Sequence, residues 1–133
     1  MNRLIAYPCM MVAVLLTNSQ SWTAETRVKT VMVAMRDGVQ LATDIYRNPA
    51  VSKQSVILVR TPYNKDRAKQ TAKRFVEAGY TVVIQDCRGT HGSEGVLIPY
   101  NNEGQDGYDT IEWIGQQSWS NGRIGTWGSS YVG

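Results

Sequence analysis

At 133 residues, with 42% hydrophobic and 19% charged content, the chain has the composition of one small globular domain and is too apolar for a disordered tail. Its net charge of +3 comes from Lys and Arg scattered along the chain. With no basic run and no aromatic-interleaved patch, nucleic acid is excluded as an expected partner.

The first residues read as an export signal. Arg3 forms a short positive region, Leu4 to Leu16 is a 13-residue apolar stretch, and "TNSQSWTAE" is polar with small residues, as a cleavage region requires. Cleavage is expected after Ser21, because cleavage after Ala24 would place bulky Trp22 at an important position. The apolar run is short for a membrane span, and Pro8 interrupts it, so no stable span is expected. An uncleaved N-terminal anchor is the alternative. The mature protein is accordingly expected to be periplasmic or secreted. Cys9 leaves with the leader, so Cys87 stands alone: no internal disulfide forms, a single His and Cys cannot build a zinc site, and no metal or cofactor is expected.

"VKTVMVAMRDGVQLATDIYR" predicts a β-hairpin. Val31, Val33 and Met35 alternate with Met32, Ala34 and Arg36, Asp37-Gly38 supplies the turn, and the return strand runs to Tyr46. After the loop "RNPAVSKQ", "SVILVR" is a continuous apolar run suited to a strand buried on both faces. "DRAKQTAKRFVEAGY" predicts a helix with Asp66 as N-cap, Ala68, Ala72, Phe75 and Val76 on one face, and Gly79 as the C′ glycine. "TVVIQD" is a second buried strand, parallel to the first. Beyond the glycine-rich "CRGTHGSEG", the stretch "NNEGQDGYDTIEWIGQQSW" predicts a second helix with Tyr108, Ile111 and Ile114 on its inner face and carboxylates toward its start. "RIGTWG" is the last strand. This order describes an α/β sheet with an antiparallel edge.

Ligands of open α/β sheets bind outside the carboxyl ends of the strands, where "RTPYNK", "CRGTHGSEG" and "GSSYVG" all fall. In "GSSYVG", Ser130 has glycine two places before it, as a nucleophile on a sharp strand-to-helix turn requires. Ser129 is weaker, since Trp127 occupies that place. A plain Ser-Gly turn without reactivity is one alternative, and a phosphate-binding loop needing Lys and Ser or Thr just past Gly133 is another. Asp86, Arg88 and Glu94 could be read as acid–base groups, but Asp86 and Arg88 are more simply expected to form a loop-fixing ion pair, the three together shaping the floor of the site. His91 is the only histidine and reads as a loop residue, Cys87 as a small core residue at a strand end. Helix capping and the helix dipole account for Asp106 and Asp109.

Taken in order and spacing, "RDGVQLATDIYRNP", "RTPYNK", "GYTVVIQDCRGTHGSEG", "NEGQDGYDTIEWI" and "WSNGRIGTWGSSYVG" resemble the Xaa-Pro dipeptidyl-peptidase-like serine hydrolases, the family that includes cocaine-esterase-like and α-amino-acid ester hydrolases. The resemblance covers residues 28 to 133, and the family's elbow pattern, G-x-S-Y-x-G, is satisfied by "GSSYVG". It implies an α/β-hydrolase fold, Ser130 as nucleophile, and an oxyanion hole made by the backbone N–H of Tyr131 and the phenolic hydroxyl of Tyr63. A small ester, amide or peptide substrate is implied, and no cofactor.

A serine hydroxyl needs a base, and the base an orienting carboxylate. In α/β hydrolases both follow the serine, whereas His91 precedes it. The expectation is therefore an N-terminal part of a hydrolase ending just after the nucleophile elbow, inactive alone, since in the family the triad acid and base lie downstream of the elbow. Coding sequence beyond codon 133 distinguishes this from a noncatalytic remnant or a nucleotide-binding module.

Overall fold

Residues 27–132 are described by the computed structural model, so the leader expected over residues 1–21 lies outside them. The predicted hairpin forms from β1 (Arg27–Ala34) and β2 (Gln40–Arg47), paired antiparallel with Ala34 opposite Gln40. Gly38 turns the chain at φ 86°, a conformation that glycine adopts without the steric cost of a side chain. Next come β3 (Gln54–Thr61), α1 (Lys69–Glu77), β4 (Thr81–Asp86), α2 (Glu103–Gly115) and β5 (Ser120–Thr126). The sheet runs β1-β2-β4-β3-β5, with β3 parallel to both β4 and β5 and the hairpin closing one side.

Alternation along β3 and β4 divides the core between the two faces of the sheet. Val59, Val82 and Ile84 turn one way and pack with Tyr46 against Ala72 and Val76 of α1. Val56, Leu58 and Val83 turn the other way, toward Ile114 of α2. A third cluster, Val33, Met35 and Leu41, seats the hairpin beside Trp113. Leu58 and Ile84 are almost wholly buried. Truncating such a side chain to Ala costs about 2–5 kcal/mol, the lost transfer energy plus the cavity left behind.

Two helix expectations change. Asp66 does not cap α1. A 3-10 turn, Lys65–Ala68, precedes the helix, and it is Asn64 whose side-chain oxygen accepts from the Asp66 N–H at 2.9 Å. Asp66 instead pairs with Lys69 at 2.8 Å, an i,i+3 contact on the surface. Gly79 closes α1 as expected, at φ 93°. On α2 the inner face is Asp106, Thr110 and Ile114, while Tyr108 is 58% exposed under the Arg36 guanidinium. The polar residues face inward because their partners are buried polar groups. Thr110 Oγ1 donates to Gln85 Oε1 at 2.9 Å, and Asp106 meets Arg88.

No helix among the described residues is long and apolar enough to cross a membrane.

Candidate active site

The three loops singled out from the sequence meet at one end of the sheet, as their strands dictate: β4 and β5 flank β3, and all three run parallel. After β3, the Tyr63 loop is fixed chiefly through its main chain. Asp86, 1% exposed at the end of β4, accepts from Lys65 N–H at 2.7 Å and from Gly92 N–H at 3.3 Å. Thr61 Oγ1 accepts from Tyr63 N–H at 3.0 Å. The Tyr63 side chain stands 51% exposed beside an open cleft of about 360 Å³ that Asn64, Arg67, Trp127, Gly128 and Ser129 also line.

The glycine-rich loop binds both neighbours. His91, at φ 46°, places Nε2 3.1 Å from Pro62 O, and Glu94 pairs with Gln40 through main chain and carboxylate at 2.9 and 3.0 Å. Gly89 is required by space as well as by its φ of 68°, since a Cβ there would collide with the main chain of Val96 and Leu97. Cys87 is buried, and burial pushes its thiol pKa up, which suits a packing residue.

The expected Asp86–Arg88 ion pair does not form. Arg88 instead reaches Asp106 of α2 at 2.7 Å and Asp37 of the hairpin turn at 2.7 Å. Asp86 ends β4 and turns to main-chain N–H groups of the Tyr63 and glycine-rich loops, whereas Arg88, in the turn beyond the strand, reaches α2 and the hairpin turn, and the main-chain donors around Asp86 already occupy its oxygens. Likewise Asp106 and Asp109 do more than cap. Asp106 is a buried ion-pair member, and Asp109 holds Arg36 at 2.7 Å. Arg36 keeps the Asp109 carboxyl below its usual range through a side-chain hydrogen bond first and a main-chain one second.

Past β5, Trp127 N–H donates to Leu58 O at 2.9 Å, and the chain then turns sharply. Ser130 opens a 3-10 turn, Ser130–Val132, at φ 57°. A left-handed conformation is uncommon for a residue with a Cβ and is the geometry of a strained strand-to-helix elbow. Ser130 is exposed. The side chain of Tyr131 turns to the α2 face, where its hydroxyl donates to Glu103 Oε1 and accepts from Tyr100 N–H at 3.1 Å, its ring 4.6 Å from that of Tyr100. Tyr63 and the elbow therefore share one end of the sheet, yet it is Ser129, not Ser130, that lines the cleft beside Tyr63, and Tyr131 lines a separate cavity with Glu103 and Cys87.

Sequence reasoning missed Glu103 and Arg60. Arg60 lies inside the apolar run of β3 but directs its Nε to Gln85 Oε1 at 3.0 Å and its Nη1 to the Glu103 carbonyl. Gly107 of α2 makes room for it, since a Cβ there would stand 3.2 Å from Arg60 Nη1. The signal was the i, i+3, i+7 spacing of Glu103, Asp106 and Thr110, a polar stripe on one helical face. Among the described residues no group of His, Cys, Asp or Glu is placed to hold a metal ion.

Residues 37–133 match the X-Pro dipeptidyl-peptidase family S15. The chain is 45% identical over 109 residues to the cocaine esterase of Rhodococcus sp. (strain MB1 Bresler), covering 77% of this chain and 19% of that protein. Among solved structures, a selenomethionine-labelled α-amino acid ester hydrolase superposes with a TM-score of 0.71 at 29% identity, over 94% of this chain and 25% of the other. A CocE/NonD family hydrolase from Staphylococcus aureus gives 0.68 at 34% identity, over 78% of this chain and 23% of the other. The fold is that of the α/β hydrolases, as expected. The 133 residues span about a fifth of the length of the esterase.

Proposed function

Since the chain belongs to the X-Pro dipeptidyl-peptidase (S15) family, we propose that it forms the nucleophile-bearing part of a serine hydrolase that cleaves ester, amide or peptide bonds through an acyl-enzyme on Ser130. The observation that carries this reading is the left-handed backbone at Ser130 directly after a parallel strand. A turn of that shape exposes the serine side chain and turns the next N–H toward the same side.

In the proposed reaction Ser130 Oγ attacks the substrate carbonyl carbon and its proton passes to a base. The carbonyl π pair moves onto oxygen, where the Tyr131 N–H and the Tyr63 hydroxyl donate to it. Two such donors contribute several kcal/mol to the barrier reduction. Collapse expels the alcohol or amine, which takes the proton, and water then releases the acid by the same steps. The base and its orienting carboxylate are assigned to the part of the family's chain that these residues do not span. His91 is occupied at Pro62 O. No cofactor enters the scheme. Export, with a leader over residues 1–21 and the hydrolase domain from residue 28 onward, belongs to the same proposal. The phosphate-binding reading of "GSSYVG" gains no support from the family match.

Turnover of p-nitrophenyl butyrate and of an Ala-Pro p-nitroanilide by the protein expressed from its complete reading frame tests this. Ser130→Ala is expected to remove turnover of whichever is cleaved, and Tyr63→Phe to lower kcat by about 100-fold, as loss of one oxyanion donor does. Full activity in Ser130→Ala contradicts the assignment.

A further inference from the structure

We propose that Glu103 is a positioning residue for the elbow: through the hydroxyl of Tyr131, its carboxylate fixes the turn that presents Ser130 and the Tyr131 N–H. This rests on Ser130 being the nucleophile. The main-chain bonds from β5 to β3 end with Trp127 N–H donating to Leu58 O, and the turn beyond is held by a side chain. Tyr131 supplies it by donating to Glu103 Oε1.

Glu103 is itself held rigidly. It opens α2, and its carbonyl accepts from Arg60, which Gln85 orients in turn. Its second carboxylate oxygen, Oε2, is buried without a partner among the described residues. Burial pushes the Glu103 carboxyl up, but the Tyr131 hydroxyl, nearby main-chain N–H groups and the Arg60 charge outweigh it and hold the group below its usual range. An O–H to carboxylate bond in such surroundings is among the stronger and more directional hydrogen bonds, and it fixes the side chain that directly follows Ser130. The rival role is plain: an acid in the first turn of a helix favours the helix dipole. The two roles differ in what they ask of residue 103. A dipole needs a charge, whereas the tie to Tyr131 needs an acceptor.

The test compares Glu103→Ala, Glu103→Gln, Tyr131→Phe and Ser130→Ala in the protein expressed from its complete reading frame, following amide hydrogen exchange of residues 129–132 together with ester turnover. Glu103→Ala and Tyr131→Phe are expected to speed exchange at the elbow about tenfold, because its local opening becomes easier. In both, kcat falls about 100-fold with KM within about twofold, the mark of a misplaced rather than a missing group. Glu103→Gln, whose amide oxygen still accepts, restores both. Equal losses in Gln and Ala, or unchanged exchange in Tyr131→Phe, overturn the proposal. Should Glu103→Ala not fold, Tyr131→Phe at a half-buried ring decides by itself. Turnover that survives Ser130→Ala overturns the nucleophile reading, and the exchange data then report on the tie separately.

Discussion

The two loops proposed to share one oxyanion are held in opposite ways. The Tyr63 loop is wrapped around a buried carboxylate: Asp86 takes two main-chain N–H groups, and the strand beneath it, β4, is buried along its whole length. The elbow stands on β5, most of which is exposed, and beyond Trp127 the Tyr131 side chain ties it to the first turn of α2 and to Tyr100 just before that helix. The bonds to Asp86 have main-chain donors, so only a substitution at Asp86 itself cuts them, whereas the tie at the elbow joins two side chains and can be cut by one substitution at either end. Distant changes should therefore disturb the elbow before they disturb Tyr63.

The largest effect is expected from Arg88→Ala. It strands Asp106, whose side chain is 3% exposed, without its closest cation, and a broken buried pair costs about 3–5 kcal/mol. Urea unfolding measures the loss, and exchange should quicken at the start of α2 and the elbow while the Tyr63 loop stays protected. Asp86→Asn attacks the other side. The charge is lost and one oxygen becomes an amide donor facing a main-chain N–H, which costs about 1–3 kcal/mol and quickens exchange over residues 63–66 with the elbow unchanged.

Acid should separate the halves more gently. Glu103, Asp37 and Asp109 all have folded pKa values below their usual ones. Their contribution is full above the ordinary carboxylate pKa of about 4 and is lost as pH falls through the depressed values. Urea midpoints should drop between pH 5 and pH 3, roughly the window those directions set, and Glu103→Gln should flatten part of that drop. Alkali acts beneath α1 as well. Burial first, and the Asp44 charge second, push Tyr46 up to about 12. Its contribution is complete below the ordinary tyrosine pKa of about 10 and lost as pH rises through the folded value. Ultraviolet absorbance should show Tyr46 ionising late, together with Tyr131, which its hydrogen bond to Glu103 also pushes up. The smallest effect is expected from Arg36→Ala, because the Arg36 side chain is 53% exposed and surface pairs contribute little. A urea midpoint shift as large as that of Arg88→Ala would contradict this ranking.

The fold was legible wherever apolar periodicity decides it. The hairpin, β3, α1 and β4 follow from alternation, from a continuous apolar run and from the Gly79 stop. The inner face of α2 was legible only in part: Ile111 and Ile114 pack inward as expected, but "NEGQDGYDT" buries Asp106 and Thr110 and leaves Tyr108 out, the reverse of what hydrophobicity predicts. Only long-range partners, Arg88 and Gln85, make that burial favourable, and a single sequence does not reveal a pairing across 18 or 25 residues. The same holds for Asn64 in place of Asp66 as cap, a matter of where a 3-10 turn begins. At the proposed site, the loops that carry Ser130 and Tyr63 could be picked out as motifs at one end of the sheet. The contact of Glu103 with Tyr131 was hidden because it depends on the direction of one tyrosine side chain.

The most direct test of the account is covalent labelling of the protein expressed from its complete reading frame with a fluorophosphonate, followed by mass analysis of the peptide that contains Ser129 and Ser130. A single adduct on Ser130, absent from Ser130→Ala and slowed in Tyr63→Phe, is the predicted result. An adduct on Ser129, or labelling that persists in Ser130→Ala, would contradict the account.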